Sequence, residues 1–317
     1  MKVLVTGANG FLGLQVVQAC QQRALEVIAC VRSIEALPSP WVKSPDLGPG
    51  ADWTLLLEGV DTVIHTAGIA HRVGQQGAEL RRLFETANVE GTVELARQAL
   101  DAGVRRFIFI SSIGVNGTAT LPGSSFSESS IPAPGADYAI SKWRAEVQLT
   151  SLLDNRSMEL VIIRPPLIYS GRAPGNFQRL LKLVASGVPL PFASIENRRS
   201  MVALENVADF IAHCVQHPRA ANEVFLISDG VDVSTPSIIN YLADGMGRKP
   251  RLLFVPDKLL HWGARLLGKE AIYSQLCGSL VVDSSKAQMF LDWRPLITPE
   301  YGLIRAGLEF QVADSRN

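Results

Sequence analysis

Three glycines near the start of the chain constrain its fold more than any other feature. Gly7, Gly10 and Gly13 are spaced G-x-x-G-x-x-G, directly after the apolar residues 2–5 and at the start of the helical stretch Phe11–Gln22. A strand, a tight glycine turn and a helix N-terminus form an anion site, because the first N–H groups of the helix are free and glycine lets a phosphate approach the backbone. This turn therefore predicts a βαβ unit that holds the pyrophosphate of a dinucleotide.

Apolar, β-rich segments alternate with helical segments along the first two thirds of the chain. The predicted strands are Val3–Thr6, Glu26–Val31, Thr62–Thr66, Arg106–Ser111, Leu160–Arg164 and Glu223–Ser228, and the predicted helices are Phe11–Gln22, Glu79–Ala102 and Tyr138–Leu152. We expect the segment Leu204–Gln216 to return to the main sheet together with the last of these strands. Near-continuous apolar strands that alternate with helices are typical of a parallel sheet covered on both faces. We therefore predict an α/β fold, a Rossmann-type doubly wound parallel sheet with a smaller C-terminal substrate lobe.

The alternation loosens after about Pro165, and this change suggests two lobes. We assign residues 1–170 to the dinucleotide-binding domain, with 201–230 returning to its sheet, and residues 171–200 and 231–317 to a smaller substrate-binding lobe. The apolar segment Asp257–Leu267 could lie on a membrane surface, but we expect it to pack inside the smaller lobe.

The composition excludes several classes of partner. The 30 basic and 30 acidic residues give a formal net charge of zero, so the chain lacks the excess of positive charge that is typical of proteins that bind nucleic acid. The four cysteines lie far apart without a C-x-x-C pair, which indicates free thiols in a reducing compartment and no metal site. No apolar run reaches the ~18 residues of a membrane span. The first strand begins at once and leaves no room for a signal peptide, so we expect a cytoplasmic protein.

A tyrosine and a lysine four residues apart can form an acid–base pair. Tyr138 and Lys142 share one face of the predicted helix. Tyrosine has an ordinary pKa of about 10, and we expect the ammonium one turn away to lower it toward a useful range. Ser112 follows the end of the predicted strand Arg106–Ser111, where active residues gather in such sheets. Its hydroxyl can share the proton of a substrate oxygen with Tyr138.

Eight short motifs follow one another along almost the whole chain. They are V-T-G-A-N-G-F-L-G (5–13), D-L (46–47), V-I-H-T-A-G (63–68), N-V-E-G-T (88–92), F-I-S-S-I-G-V-N-G (109–117), Y-A-I-S-K (138–142), R-P-P-L-I-Y (164–169) and R-S-M-V-A-L-E-N-V-A (199–208). With these motifs the chain resembles an extended short-chain dehydrogenase/reductase of the NAD(P)-dependent nucleotide-sugar epimerase/dehydratase superfamily. The resemblance implies a UDP-sugar substrate and allows a homodimer.

The resemblance also implies a role for individual residues. It implies that Gly7, Asn9, Gly10, Phe11, Leu12, Asp46, Leu47, Ala67, Gly68, Asn88, Lys142 and Pro165 bind the cofactor. Among them, Asp46 and Leu47 match the adenine contact, Asn88 supports the active site, and Pro165 borders the nicotinamide. It implies that Ser112, Tyr138 and Lys142 are catalytic, with Ser112 and Tyr138 also touching the substrate. Asn176 and Arg199 match positions that hold the diphosphate of a nucleotide sugar.

Two departures from the superfamily pattern narrow the expected chemistry. The 4,6-dehydratases carry Asp-Glu directly after the strand-end hydroxyl, whereas this chain has Ile113 and Gly114 there, so we exclude dehydration. Leu167 stands where many relatives have asparagine, which leaves the placement of the sugar open.

The end of the second strand bears on the choice of cofactor. NAD-selective sites carry an acidic residue there for the ribose 2′-hydroxyl, but this chain reads Cys30-Val31-Arg32-Ser33. Arg32 could pair with a 2′-phosphate, so we favour NADP(H) and leave NAD(H) open. The alternative is that Arg32 stacks on the adenine and selects neither cofactor.

Three functions remain. The leading hypothesis is reduction of the C4 ketone of a UDP-2-acetamido-2,6-dideoxy-4-hexulose in bacterial surface-polysaccharide synthesis, since the motifs also resemble a subgroup that makes UDP-N-acetylquinovosamine. The alternative is a UDP-glucose or UDP-N-acetylglucosamine 4-epimerase. A remote third hypothesis is a non-catalytic dinucleotide-binding regulator, which would not need Ser112, Tyr138 and Lys142.

Overall fold

Seven parallel strands form the central sheet of the protein. The structure is a computed structural model that describes residues 1–33, 41–70 and 77–314. The strands are β1 (Lys2–Thr6), β2 (Glu26–Val31), β3 (Trp41–Lys43), β4 (Thr62–His65), β5 (Arg106–Ile110), β6 (Glu159–Arg164), β7 (Leu167–Tyr169), β8 (Met201–Ala203) and β9 (Glu223–Leu226). The main sheet has the order β3-β2-β1-β4-β5-β6-β9, and β7 pairs with β8 in a separate two-stranded sheet. The predicted doubly wound α/β fold is confirmed, because the chain turns back across the sheet between β1 and β4.

Helices cover both faces of this sheet and build the rest of the molecule. They are α1 (Phe11–Gln22), α2 (Ala78–Phe84), α3 (Gly91–Asp101), α4 (Asp137–Leu153), α5 (Asn176–Ala185), α6 (Leu204–Gln216), α7 (Thr235–Gly245), α8 (Asp257–Leu266), α9 (Glu270–Cys277), α10 (Ser285–Leu291) and α11 (Pro299–Asp314). A π-helical segment, Glu85–Glu90, joins α2 to α3, so the single long helix predicted over 79–102 is present with one wider turn in it.

Two apolar layers hold the helices on the sheet. One face packs against α1 and α6, with Val16, Ile211 and Phe210 among the buried residues. The other packs against α3 and α4, with Leu95 and Leu149 fully buried. Because every strand of the sheet is parallel, all the carboxyl ends meet at one edge, where active residues gather in this kind of fold.

A third apolar cluster lies among α5, α7 and α11. Phe177, Leu242 and Leu303 are buried in it, together with Tyr169 of β7. Farther along the chain, Trp293 packs instead in the layer formed by α1 and α6. The assignment of whole segments to a cofactor domain and a smaller lobe stays a prediction.

The expectation that 257–267 packs inside the smaller lobe is wrong. Neither α8 nor α9 contains a buried residue. Trp262 is 61% exposed and Leu266 66% exposed, because the neighbouring helices close their own core without them. No helix within the described ranges is long and apolar enough to cross a bilayer.

Candidate active site

The glycine turn is closed so tightly that only glycine fits two of its positions. Gly7 has φ +65°, and a Cβ there would lie 2.8 Å from Cα of Ala67. A Cβ at Gly13 would lie 2.1 Å from the carbonyl oxygen of Gly7, so α1 rests directly on the turn. Gly10 caps α1 without any side-chain hydrogen bond. The first N–H groups of the helix are therefore left to an external anion, as a pyrophosphate requires.

A cleft of about 460 Å³ opens beside this turn. Asn9, Gly10 and Phe11 form one wall, and Ser170 and Arg172 lie on the other. The predicted cofactor residues Asn9, Gly10 and Phe11 thus border an accessible cavity. Leu12, the next residue in α1, is half-buried and packs against the sheet.

Asn88 joins the loop after β4 to the helix that carries the tyrosine. Its amide oxygen accepts a hydrogen bond from the N–H of Ile69 at 2.8 Å, and its amide nitrogen donates to the Ile69 carbonyl at 2.9 Å and to Oγ of Ser141 at 3.1 Å. Ser141 in turn donates to the carbonyl of Tyr138 at 2.8 Å. Asn88 therefore fixes the position of Ala67 and Gly68 relative to α4.

Lys142 lies buried at the centre of the site. Its Nζ donates to the carbonyl of Ile110, the last residue of β5, at 2.9 Å and lies 4.6 Å from the ring centroid of Phe109. A Cβ at Gly68 would lie 3.6 Å from the same Nζ, so the lysine faces the loop after β4. Burial lowers the pKa of Lys142 to about 8, while the charge of Glu146 opposes that shift.

The expectation that Lys142 lowers the pKa of Tyr138 is wrong for the protein without bound cofactor or substrate. Burial raises the pKa of Tyr138 to about 12. The ammonium lies 6.0 Å from the tyrosine ring centroid and gives its hydrogen bond to Ile110 instead. The cost of removing the phenolate from water therefore outweighs the attraction of the neighbouring charge.

Ser112 lies where the carboxyl end of β5 meets the start of α4. Its Oγ accepts a hydrogen bond from the N–H of Gly114 at 3.1 Å, and the N–H of Ile113 donates to the carbonyl of Pro165 at 2.9 Å. A Cβ at Gly114 would lie 3.1 Å from Cβ of Ala139 and 3.3 Å from Oγ of Ser112. Gly114 thus allows α4 to approach the serine, and it brings together Ser112, Pro165 and the residue that follows Tyr138.

A buried ionic network behind these residues was not predicted from the sequence. Glu146 and Arg164 form an ion pair at 2.5 Å with both side chains buried. Glu146 also accepts a hydrogen bond from Ser111, and Arg164 donates to Asn116 at 3.1 Å. The sequence does contain one indication of Glu146: it follows Lys142 by four residues, which places both on the same, inner face of α4.

His65 fills the space beneath the lysine in its neutral form. Its ring nitrogens lie 2.8 Å from Oγ1 of Thr6 and 3.0 Å from Oγ1 of Thr92. Burial, helped by the charge of Lys142, lowers the pKa of His65 to about 3. It therefore bridges β1 to α3 without carrying charge at neutral pH.

The predicted adenine end lies at the carboxyl ends of β2 and β3. Arg32 follows β2 directly and is exposed, as is Asp46, whereas Leu47 is half-buried. A Cβ at Gly91 would lie 2.9 Å from the carbonyl carbon of Leu47, so the loop lies against the start of α3. Arg32 and Leu47 are thus placed at the same edge as the glycine turn.

The two residues predicted to hold a diphosphate both contact the end of α9. The exposed Asn176 begins α5 and donates to Oε1 of Gln275 at 2.9 Å. Half-buried Arg199 donates to the carbonyl of Gly278 at 2.9 Å, and burial lowers its pKa. The structure brings Asn176 and Arg199 to one segment, 275–278.

The fold and the arrangement of the predicted site residues are typical of the extended short-chain dehydrogenase/reductase class of enzymes. The family model described as "NAD dependent epimerase/dehydratase family" matches residues 3–228. The chain belongs to this family, and it is an NAD-dependent enzyme.

Similar proteins agree with that membership along the full length of the chain. The sequence is 39% identical over 317 residues to "UDP-glucose 4-epimerase" of Vibrio cholerae, covering 99% of this chain and 97% of that protein. Among solved structures, UDP-glucuronic acid 4-epimerase from Bacillus cereus in complex with NAD has a TM-score of 0.77 at 22% identity, covering 98% and 99% of the two chains. UDP-glucose 4-epimerase from Thermotoga maritima has a TM-score of 0.76 at 21% identity and covers both chains completely.

Proposed function

We propose that the protein is an NAD-dependent 4-epimerase of UDP-sugars. The observation that carries this proposal is the 39% identity to the Vibrio cholerae UDP-glucose 4-epimerase over almost the whole of both chains. The catalytic edge supports it, because Ser112, Tyr138 and Lys142 are all present. This replaces the 4-keto reductase as the leading hypothesis.

The residues of the site fit a bound NAD. The uncapped start of α1 and the close approach of Gly7 to Ala67 suit a pyrophosphate, and the loop fixed by Asn88 borders Lys142. Gly7, Gly10, Phe11 and Leu12 would hold the pyrophosphate, Asp46 and Leu47 the adenine, and Pro165 would border the nicotinamide. NAD supplies the oxidation and re-reduction of the sugar carbon when it is bound.

The protein itself handles one proton. Tyr138 takes the proton from the hydroxyl at C4 of the sugar and returns it to the same oxygen after the ring has presented its other face. Ser112 shares the hydrogen bond to that oxygen, and Lys142, whose Nζ lies 6.0 Å from the tyrosine ring centroid, would support the phenolate once cofactor and substrate are bound. Burial raises the pKa of Tyr138 to about 12, so a further positive charge in the bound complex would favour the phenolate.

Substrate binding would use the segment around the end of α9. Asn176 and Arg199 are held by Gln275 and Gly278, and their side chains would donate to the diphosphate of the UDP moiety. The four cysteines are free, which suits the cytoplasmic location that we propose for such an enzyme.

A 4-keto reductase that uses NADPH is the second candidate, and Arg32 is the observation that favours it. The exposed guanidinium at the carboxyl end of β2 stands where NAD-selective sites carry an acid. If Arg32 binds a 2′-phosphate, Arg32→Asp should weaken NADPH binding by about 10- to 100-fold relative to NADH, since such charge-assisted contacts contribute ~1.5–3 kcal/mol. Fluorescence titration with both cofactors measures this ratio, and an unchanged ratio would remove the argument for NADPH.

The two candidate functions are distinguished by giving the enzyme the substrate of each reaction in turn. We expect no NADPH oxidation when the enzyme meets a UDP-2-acetamido-2,6-dideoxy-4-hexulose, and interconversion of UDP-glucose or UDP-N-acetylglucosamine with its C4 epimer without net cofactor consumption. Stoichiometric loss of absorbance at the NADPH band, with a 6-deoxy product identified by NMR, would instead establish the reductase.

A further inference from the structure

The helices α8 and α9 present a set of exposed apolar side chains that the reaction does not use. We define the α8–α9 surface by Phe254, Leu259, Trp262, Leu266, Leu267 and Ile272, which are each between 51% and 76% exposed. Leu259, Trp262 and Leu266 are spaced three and four residues apart, so they form one stripe along α8. Isolated exposed apolar residues are common, but a continuous stripe of this size marks a binding surface.

The stripe lies on a helical hairpin, formed by α8 and α9, whose two helices are held together by side-chain contacts. Tyr273 of α9 donates its hydroxyl proton to Asp257 of α8 at 2.5 Å, and its ring stacks on His261 at 4.8 Å between centroids. Leu260 and Ala264, on the opposite side of α8, are half-buried. The helix α8 therefore packs against the protein through one face, and the stripe on its other face is exposed to solvent.

The charges around the stripe complement an anionic surface. Lys258 and Arg265 are seven residues apart and lie along one edge of the stripe, at about a quarter turn from its centre. Lys258, Arg265 and Lys269 take part in none of the ion pairs found in the described part of the chain. The two acidic groups of the hairpin accept hydrogen bonds, Asp257 from Tyr273 and Glu270 from His261 at 3.2 Å, so the three cations exceed the carboxylates by one charge.

This surface is continuous with the predicted diphosphate site. Asn197 donates to the carbonyls of Leu276 and Gly278 at 3.0 Å each, next to the contacts of Asn176 and Arg199 with the same segment. A partner bound to the hairpin would therefore lie next to the predicted diphosphate site.

We propose that the α8–α9 surface docks the enzyme on an anionic lipid bilayer. The apolar stripe enters the boundary between headgroups and acyl chains, and the three unpaired cations lie at the level of the phosphates. The diphosphate end of the cleft is thereby held at the membrane surface. This inference is independent of whether the enzyme is an epimerase or a reductase.

Sedimentation of the full-length protein with vesicles tests the proposal. We expect binding to vesicles of phosphatidylcholine with phosphatidylglycerol at a 3:1 ratio and much weaker binding to phosphatidylcholine alone. The double variant Leu259→Gln/Leu266→Gln should bind about tenfold more weakly, since both leucines lose apolar burial. Lys258→Gln should bind about fivefold more weakly to the anionic vesicles only.

Leu55→Gln is the matched control, because Leu55 is 81% exposed but lies in a short helical turn of the cofactor domain. It should bind vesicles like the wild type. All variants should keep the melting temperature of the wild type and its turnover of a soluble UDP-sugar. A loss of vesicle binding can therefore be told apart from a failure of the proposed function.

Tryptophan fluorescence reports which surface meets the lipid. The emission of the wild type should shift to shorter wavelength on anionic vesicles, and Trp262→Phe should remove that shift while keeping the binding. Equal binding by wild type and the Leu259→Gln/Leu266→Gln variant would overturn the proposal. So would a concentration-dependent dimer in ultracentrifugation that the same variant abolishes, because the surface would then belong to a second copy.

Discussion

The carboxyl edge of the sheet and the α8–α9 hairpin use their side chains in opposite ways. At the sheet edge, Lys142, Asn88 and Glu146 are buried, and each has hydrogen-bond partners within the protein. On the hairpin, Trp262 and Leu266 are exposed, and Lys258 has no ionic partner in the described ranges.

This difference separates two tasks of the molecule. Proton transfer, as proposed for the sheet edge, needs groups that are held in position before the substrate arrives, which a buried network provides. The hairpin exposes apolar area and charge, which a partner outside the chain could cover. Changes at the sheet edge should therefore alter chemistry and stability, whereas changes on the hairpin should alter location.

The largest effect is expected from removing the proton carrier. Tyr138→Phe keeps the ring and its edge contact with Phe84 but cannot exchange a proton with the sugar. Turnover should fall by about 10²–10⁴, the usual contribution of general acid–base catalysis, while NAD binding and the melting temperature remain unchanged. Turnover close to that of the wild type would show that another group carries the proton.

The buried ion pair gives the next largest effect, in stability. Glu146→Gln leaves the guanidinium of Arg164 buried without a counter-charge, and the free energy of unfolding should decrease by about 3–5 kcal/mol. Arg97→Gln is the control, since Arg97 pairs with Glu94 and Asp101 on the surface and should cost less than about 1 kcal/mol. Urea denaturation of both variants measures the two values, and similar losses would refute the distinction between them.

The glycine turn can be tested with two glycines of the same backbone conformation. Gly7 and Gly59 have φ +65° and +66°, but only a Cβ at Gly7 meets other atoms within 4 Å. Gly7→Ala and Gly59→Ala should each lose about 1–2 kcal/mol of stability through the left-handed conformation. Gly7→Ala should lose about 1–3 kcal/mol more than this, because its Cβ overpacks against Ala67, and only this variant should weaken NAD binding, because the turn that would hold the pyrophosphate must shift. Calorimetric titration with NAD distinguishes the two variants.

The smallest effect is a pH dependence that follows from Lys142. Its pKa of about 8 means that the ammonium is present below pH 8 and is lost as the pH rises through that value. Because the ammonium would support the phenolate once cofactor and substrate are bound, kcat/KM should decrease as the pH rises through 8, by about tenfold in total between pH 8 and pH 10. No decrease near pH 6.5 should come from His65, whose pKa is about 3. A profile that stays flat to pH 10 would exclude the charged lysine from the mechanism.

The sequence predicted the sheet edge well because its elements carry strong local signals. Gly7, Gly10 and Gly13 define the turn. The spacing of Tyr138 and Lys142 predicts that they share one face of a helix, and the structure has both residues in α4. The short strand β3 was missed, because three residues, of which none is fully buried, give little periodicity.

Other features depend on tertiary contacts that local patterns do not contain. The pairing of Glu146 with Arg164 joins a helix to a strand 18 residues away. The direction of the shift in the pKa of Tyr138 depends on how deeply α4 is buried. The exposure of Trp262 could not be foreseen either, because an amphipathic helix that packs in a core has the same periodicity as one that lies on a surface.

The most direct test of the central claim is to approach the C4 equilibrium from both sides. Purified enzyme would be incubated separately with UDP-glucose and with UDP-galactose, and the anomeric signals of both sugars followed by ¹H NMR while the nicotinamide absorbance is recorded. We predict that both reactions converge on the same ratio of epimers with no net change in NADH or NADPH, and that Tyr138→Phe interconverts the sugars about 10²–10⁴-fold more slowly. Failure of the wild type to interconvert these sugars or their N-acetyl derivatives, together with consumption of NADPH by a 4-keto sugar, would contradict the assignment.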